Sequence, residues 1–161
     1  MSASQAPFML ETAYYYLRAA KILLREPKME FVAQINGALG TEILLKSFRS
    51  VPEENDKKGT LAEEYKFIDG RMHKLTALAS SIDEKLCRKL KIDQHKQTIQ
   101  RYDDYFINSR YHYEKNVTHG YDGMIIVAGI EIFRETIAWY KETNSSDPWI
   151  INYPNIPGGE L

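Results

Sequence analysis

The stretch "INGALGTEILLKSF" (Ile35–Phe48) decides the fold class of this 161-residue chain. Its apolar residues, together with those just before it, recur at helical spacing. They form a stripe of Val32, Ile35, Leu39 and Ile43, widened by Phe31, Ala38, Leu45 and Phe48. Residues three or four apart on a helix lie on one face, so the pattern predicts an amphipathic helix from Lys28 to about Ser50. The stripe is expected to face the core.

Helices are predicted on both sides of this one. The segment "ETAYYYLRAAKILLRE" (Glu11–Glu26) has helical spacing and runs into Pro27, which ends the first helix because proline cannot continue the hydrogen-bond ladder. The pairs Thr60 with Glu63 and Ser81 with Glu84 have capping-box spacing, which predicts two short helices.

The rest of the pattern completes an all-α chain. A long fourth helix is predicted from about Asp93 to Lys115 and a last one from Met124 to Thr143, while no strand pair is predicted. The tail is rich in proline and is expected to be irregular, held to the helices by Trp149, Ile151 and Tyr153. The sequence therefore predicts an up-and-down bundle of four to five helices over residues 1–143 and an irregular Pro-rich C-terminal tail over 144–161.

Composition limits the classes of function. The formal net charge is −1, which argues against bulk non-specific binding of nucleic acid, where neutralisation of phosphates supplies most of the affinity. Cys87 is the only cysteine, so an internal disulfide is excluded. The amino terminus lacks the pattern of a signal peptide, and the longest apolar run, Met124–Ile130, is too short for a membrane span. We expect a cytoplasmic protein with no membrane association.

A polar group accompanies the predicted core. Arg110, in "YFINSRYHYEK" (Tyr105–Lys115), lies beside an apolar stripe, and a buried guanidinium requires an acceptor. Glu42 shares a face with the stripe of the second helix and has Lys46 at i+4. The simplest interpretation is a structural polar seam of Glu42, Lys46, Arg110 and Glu114. The alternative is a site that handles phosphate.

Three segments in order resemble a known family. "INGALGTEILLKSF" (Ile35–Phe48), "DGRMHKLTAL" (Asp69–Leu78) and "FINSRYHYE" (Phe106–Glu114) are similar to segments of the HEPN superfamily, the higher-eukaryote and prokaryote nucleotide-binding domains. The resemblance covers about residues 8 to 140. It implies a helical bundle that pairs into a homodimer, often in RNA-processing, toxin–antitoxin or phage-defence settings.

Many HEPN proteins are metal-independent ribonucleases, and the resemblance therefore also implies a site. In the family an Arg and a His, separated by roughly four to six residues, meet across the dimer interface, where they suit proton transfer and phosphate binding. Here "HGY" (His119–Tyr121) matches the histidine end, but Arg110 precedes His119 with eight residues between. Arg110 and His119 are the candidate catalytic residues. Two interpretations remain: a binding module that has lost most or all activity, and a specialised endoribonuclease.

The remaining signals have structural alternatives. His119 could cap the turn before the last helix, His73 is expected to bond a neighbouring backbone group, and His95 is expected to face solvent. Candidate residues for binding RNA or nucleotide are Lys85, Arg88, Lys89 and Tyr121, although such a basic run is often only a solvated face.

The expected partners are a second copy of the chain, RNA or nucleotide, and a partner protein. Three successive tyrosines, Tyr14–Tyr16, wrap too much of a helix for one stripe, so at least one ring is expected at a dimer interface or a pocket. No pair of histidines has the spacing of a metal site, so we predict no metal and no cofactor.

Overall fold

The computed structural model describes residues 7–52, 65–67, 73–105 and 121–161. In these ranges the chain is mostly helical, and the all-α prediction is confirmed there. The described helices are α1 (Pro7–Leu23), α2 (Glu30–Lys46), α3 (Leu75–Ser80), α4 (Glu84–Lys89), α5 (Lys96–Arg101), α6 (Met124–Glu142) and α7 (Pro148–Asn152). Two 3₁₀ turns, Ser47–Arg49 and Ile92–His95, connect them. The number of helices in the whole bundle remains a prediction.

The centre of the molecule is formed by α1, α2 and α6, each of which contacts the other two. Its largest buried side chains include Leu10, Tyr14, Leu17, Leu44, Leu45 and Phe133. The first helix ends before Pro27, as predicted, and Lys28 takes a left-handed conformation with φ of 62° in the turn to α2. The last long helix also lies where the periodicity placed it.

The face of α2 that enters the core is only partly the predicted one. Ala38, Leu45 and Phe48 are buried as expected, whereas Val32 is 37% exposed and the other three residues of the central stripe are only partly buried. The buried face of the helix also carries small residues that were not predicted there: Ala33, Gly37, Gly40 and Thr41. Small residues allow the backbones to approach closely, and a Cβ on Gly40 would lie 2.8 Å from Leu17 Cγ and 3.1 Å from the Leu17 backbone nitrogen.

A short strand pair was not predicted. Strand β1 (Ser50–Pro52) pairs antiparallel with β2 (Tyr65–Phe67), with Ser50 opposite Phe67. The short helix predicted after Thr60 is therefore not continued through residues 65–67, and the proposed box of Thr60 and Glu63 lies outside the described residues.

Two helix boundaries also differ from the prediction. The cap of α4 is Asp83, whose Oδ1 accepts from the backbone N–H groups of Lys85 (3.0 Å) and Leu86 (3.2 Å), whereas the Ser81 hydroxyl donates to Leu78 O. An aspartate next to the first helical residue is at least as good a cap as the serine two positions earlier.

The predicted long fourth helix begins as a 3₁₀ turn, and α5 ends at Arg101. Asp103, two residues beyond the end of α5, accepts from the Thr76 backbone N–H through Oδ1 at 2.6 Å and so connects this turn to the start of α3. Residues 106–115 of the predicted helix lie outside the described residues.

The C-terminal tail contains α7 and is therefore not wholly irregular. Asp147 caps α7, and its Oδ1 accepts from the backbone N–H groups of Trp149 (2.9 Å) and Ile150 (3.0 Å). Ile150 is buried while Ile151 is 58% exposed, so the predicted contact through Ile151 is wrong by one position. Tyr153 is buried against Phe133, and the Tyr14 hydroxyl donates to the Gly159 carbonyl at 2.8 Å.

Candidate functional site

A carboxylate on the buried side of α2 collects two nitrogen donors. Glu42 is 4% exposed, and its Oε1 lies 2.5 Å from Lys46 Nζ and 2.9 Å from His73 Nδ1. Lys46 is one helical turn further along α2, and His73 comes from the segment before α3. We call Glu42, Lys46 and His73 the Glu42 cluster.

The contact with Glu42 determines which nitrogen of the His73 ring carries the proton. A carboxylate only accepts hydrogen bonds, so Nδ1 carries the proton in this contact and Nε2 of the neutral ring is an acceptor. The ring is 48% exposed, which leaves Nε2 accessible for a proton. A histidine oriented by a carboxylate is an arrangement suited to general acid–base chemistry, and the adjacent ammonium suits an anionic ligand.

The sequence indicated only part of this cluster. The spacing of Glu42 and Lys46 was recognised, and the structure brings them together. His73 was expected to bond a neighbouring backbone group, but it contacts a carboxylate from a different helix, 31 positions away in the sequence. The other two members of the predicted seam, Arg110 and Glu114, lie outside the described residues, as does His119.

A second polar group, centred on Gln34, joins described residues that flank positions 106–120 in the sequence. Gln34 is 1% exposed on α2, and its Nε2 donates to the Tyr105 hydroxyl at 2.5 Å. Its Oε1 lies 3.0 Å from the Tyr102 hydroxyl and accepts from the backbone N–H groups of Asp122 and Gly123, each at 3.3 Å. One buried side chain therefore holds the residues that precede and follow the segment containing Arg110 and His119.

A hydroxyl, a backbone N–H group and a guanidinium also converge on the Asp122 carboxylate. Its Oδ1 accepts from the Met124 backbone N–H at 3.0 Å and from the Tyr102 hydroxyl, and its Oδ2 lies 2.5 Å from Arg101 Nη1. Burial alone would raise the pKa of Asp122, but these hydrogen bonds and the guanidinium together lower it below its ordinary value. Burial first, and then the hydrogen bond with Asp122, raises the pKa of Tyr102.

We expect the folded state to lose stability in acid partly through Asp122. Its pKa is lower in the folded chain than in the unfolded one, so its stabilising contribution is present above about pH 4 and is lost as the pH falls through the folded value. Urea unfolding of Asp122→Asn should therefore change less between pH 7 and pH 3 than unfolding of the wild type. Asp104→Asn, at a half-exposed position, is the control. Equal acid sensitivity of wild type and Asp122→Asn would contradict the prediction.

The predicted binding residues are divided between paired and exposed positions. Arg88 contacts Glu84 at 2.6 Å and Lys89 contacts Glu142 at 2.5 Å, so carboxylates balance two of the three cations. Lys85 is exposed, and Tyr121 is 47% exposed next to the Gln34 group. Their role in binding stays a prediction.

The expectation that His95 faces solvent is wrong. Its side chain is 13% exposed, and Nε2 lies 2.6 Å from Glu131 Oε2 on α6. Lys91 contacts the same helix through Glu131 (3.2 Å) and Glu135 (2.6 Å). The hydrogen bonds from His95 and then Lys91 lower the pKa of Glu131. These contacts join the segment between α4 and α5 to the central helices.

The described ranges contain neither a metal-binding cluster nor a membrane-spanning helix. Among residues 7–52, 65–67, 73–105 and 121–161, no three His, Cys, Asp or Glu side chains come together in a way that could hold a metal ion. None of the described helices is both long enough and apolar enough to cross a membrane.

Comparisons with known proteins leave the family open. Models of known protein families give no match to the chain, and neither characterised proteins nor solved structures show significant similarity to it. The resemblance to HEPN proteins rests on the three sequence segments alone.

Proposed function

We propose that this protein is a HEPN-like dimeric bundle of the cytoplasm that binds RNA, a nucleotide or a partner protein, with little or no catalytic activity. An RNA-processing, toxin–antitoxin or phage-defence setting fits such a module. The observation that carries the proposal is the Glu42 cluster, where the half-exposed imidazole of His73 is oriented by a buried carboxylate that Lys46 also contacts. An accessible imidazole is suited to a phosphate ligand.

The Gln34 group supports the same proposal. It holds Tyr105, Asp122 and Gly123 against α2, the helix that also carries Glu42. In the sequence, Arg110 and His119 lie between these residues. The candidate residues are therefore flanked on both sides by residues that contact the helix of the Glu42 cluster.

A second candidate function is a metal-independent endoribonuclease that uses Arg110 and His119 at the dimer interface. The contact between His73 and Glu42 favours a nuclease, with His73 as a candidate in addition to His119, because a histidine with its Nδ1 held by a carboxylate can move the proton of a ribose 2′-OH. In such a reaction the 2′ oxygen attacks the adjacent phosphorus, the 5′ oxygen leaves with a proton, and a cyclic phosphate remains. An arginine would stabilise the charge on the phosphate oxygens.

Cleavage of a mixed RNA pool in the presence of EDTA separates these functions. For the binding module we expect no cleavage, and binding of a labelled RNA or nucleotide that weakens about tenfold in His73→Ala, since one charge-assisted contact to phosphate is worth about 1 to 2 kcal/mol. Lys28→Ala, at an exposed position in the turn before α2, is the control. Cleavage that leaves cyclic phosphate and is lost in Arg110→Ala or His119→Ala would contradict the binding module and support the nuclease. If RNA and nucleotide do not bind, only a partner protein remains as the ligand.

The proposed homodimer has a candidate surface on α1. Phe8, Tyr15 and Ile22 are 44%, 53% and 49% exposed and are seven residues apart, so they form one apolar stripe along the helix. Tyr14 is buried, and Tyr15 is thus the tyrosine of the triplet that faces outward. An antiparallel pairing about a two-fold axis at Tyr15 would place Phe8 opposite the partner's Ile22.

Tyr15→Lys is expected to weaken the dimer at least 100-fold, because two like charges would meet at the two-fold axis where an apolar contact stood before. Sedimentation over a range of concentrations measures the effect. Ala138→Lys, at an exposed position on α6, adds the same charge elsewhere and should leave the dimer intact. A wild-type chain that stays monomeric at high concentration would remove the dimer from the proposal.

A further inference from the structure

A pocket lies beside the helices that follow the strand pair and belongs to neither polar group described above. It has a volume of about 590 Å³, which lies within the range of small-molecule sites. Its lining comes from α3, α4, α5 and the intervening 3₁₀ turn. The apolar part of the lining is formed by Ala79, Ile82, Ile92, Ile99 and Cys87.

One oxygen of the pocket lining has no hydrogen-bond partner in the described chain. Asp93, on the 3₁₀ turn, lines the pocket, and its Oδ1 is buried without a donor. A buried carboxylate oxygen without a donor destabilises the fold, because its hydration is lost and nothing replaces it. Because Oδ1 is enclosed by protein atoms, a ligand would act through the other oxygen of this carboxylate, where a cationic donor would offset part of the cost.

The other ionisable groups around the pocket do not fill this role. Arg88 is paired with Glu84 at 2.6 Å. Lys96 also lines the pocket, but it is exposed at the first turn of α5, where water can hydrate its ammonium. Burial raises the pKa of the Cys87 thiol, so Cys87 contributes a neutral group to the apolar part of the lining.

We propose that this pocket binds a small molecule with an apolar body and a protonated amine, the amine donating to the Asp93 carboxylate and the body packing on Ile82, Ile92 and Ile99. The chemistry follows from the two parts of the lining. An apolar body removes apolar surface from water, and a cationic donor neutralises a carboxylate that is otherwise poorly solvated. Lys96 at the rim allows the ligand to carry an additional acidic group. The inference is independent of the RNA-binding proposal.

The test uses a matched pair of probes, 2-(1-naphthyl)ethylamine and 3-(1-naphthyl)propionate, with the full chain. Calorimetry and amide chemical shifts measure binding. We expect the amine to bind at least tenfold more tightly than the acid, with shifts concentrated at residues 79–100. 1-Naphthylalanine, which carries both groups, tests whether Lys96 accepts an additional carboxylate; binding tighter than that of the amine would extend the ligand class to amino acids.

Two variants locate the site. Asp93→Asn should weaken the amine at least tenfold while leaving the acid unchanged or better bound, and its melting temperature should equal or exceed that of the wild type. Ala79→Phe should fill the pocket and abolish binding of the amine, with the folded state checked by circular dichroism. Asp104→Asn, outside the pocket, is the control.

Three results would overturn the proposal. These are no detectable binding of the amine, equal binding of the amine to wild type and Asp93→Asn, and a marked loss of stability in Asp93→Asn. The last result would mean that the carboxylate makes a contact on which the fold depends.

Discussion

Replacement of Gly129 with leucine is expected to destabilise the fold by about 4 kcal/mol, because α6 meets α1 and α2 at this glycine with no room for a side chain. A Cβ here would lie 2.7 Å from Leu17 Cδ2 and would overlap Thr41 Oγ1. Thr41 is itself held by a hydrogen bond from its hydroxyl to the Gly37 carbonyl at 2.8 Å. Both neighbours are fully buried, so neither can move without displacing other core residues.

A matched control separates the effect of packing on stability from the effect of helix propensity. Leucine is a better helix former than glycine by about 0.8 kcal/mol, so propensity alone would stabilise the variant. Ala138→Leu, at an exposed position on the same helix, is the matched control and should change the free energy of unfolding by less than about 0.5 kcal/mol. Urea unfolding measures both variants. A Gly129→Leu protein as stable as the wild type would mean that the three central helices do not meet at Gly129.

Glu42→Ala is expected to cost about 3 kcal/mol, because the carboxylate is buried and two donors point at it. Without Glu42, the ammonium of Lys46, which is 17% exposed, loses its nearest negative charge, and the His73 ring loses the group that holds it. The methylene stem of lysine lets the ammonium move toward water, which keeps the cost below that of a fully buried pair.

A double-mutant cycle with Lys46→Met separates the ion pair from simple loss of packing. If the pair contributes, Glu42→Ala should cost less in the Lys46→Met background than in the wild type, by about 1 kcal/mol or more. Glu42→Gln is the conservative control and should cost less than Glu42→Ala, since the amide fills the same space and still offers one acceptor. A loss below about 1 kcal/mol for Glu42→Ala in urea unfolding would show that the carboxylate is hydrated in solution.

Much of the secondary structure could be predicted because its signals are local. Pro27 marks the end of the first helix, and the apolar spacing from Met124 onward marks α6 almost to its last residue. The start of α4 differs from the prediction because Asp83 caps this helix in place of Ser81. The end of α5 at Arg101 was not indicated by the apolar spacing.

The candidate sites were only partly predictable. Glu42 and Lys46 are one turn apart on a single helix, so their pairing can be predicted from their spacing in the sequence. The contact between His73 and Glu42, and the convergence of Tyr102, Tyr105 and Asp122 on Gln34, join residues that are 20 or more positions apart. No local pattern encodes those distances.

The sequence by itself determined that the chain is helical, where α1 ends and α6 begins, and which charged residues pair within one turn. The tertiary structure alone decided which part of the predicted stripe of α2 is buried, because close approach of α1 and α6 places Gly37, Gly40 and Thr41 in the core beside Leu44 and Leu45. It also decided that Asp93 lines a pocket and that its Oδ1 has no hydrogen-bond donor. Periodicity follows from the geometry of one helix, whereas burial and the partners of polar groups follow from how all the helices fit together.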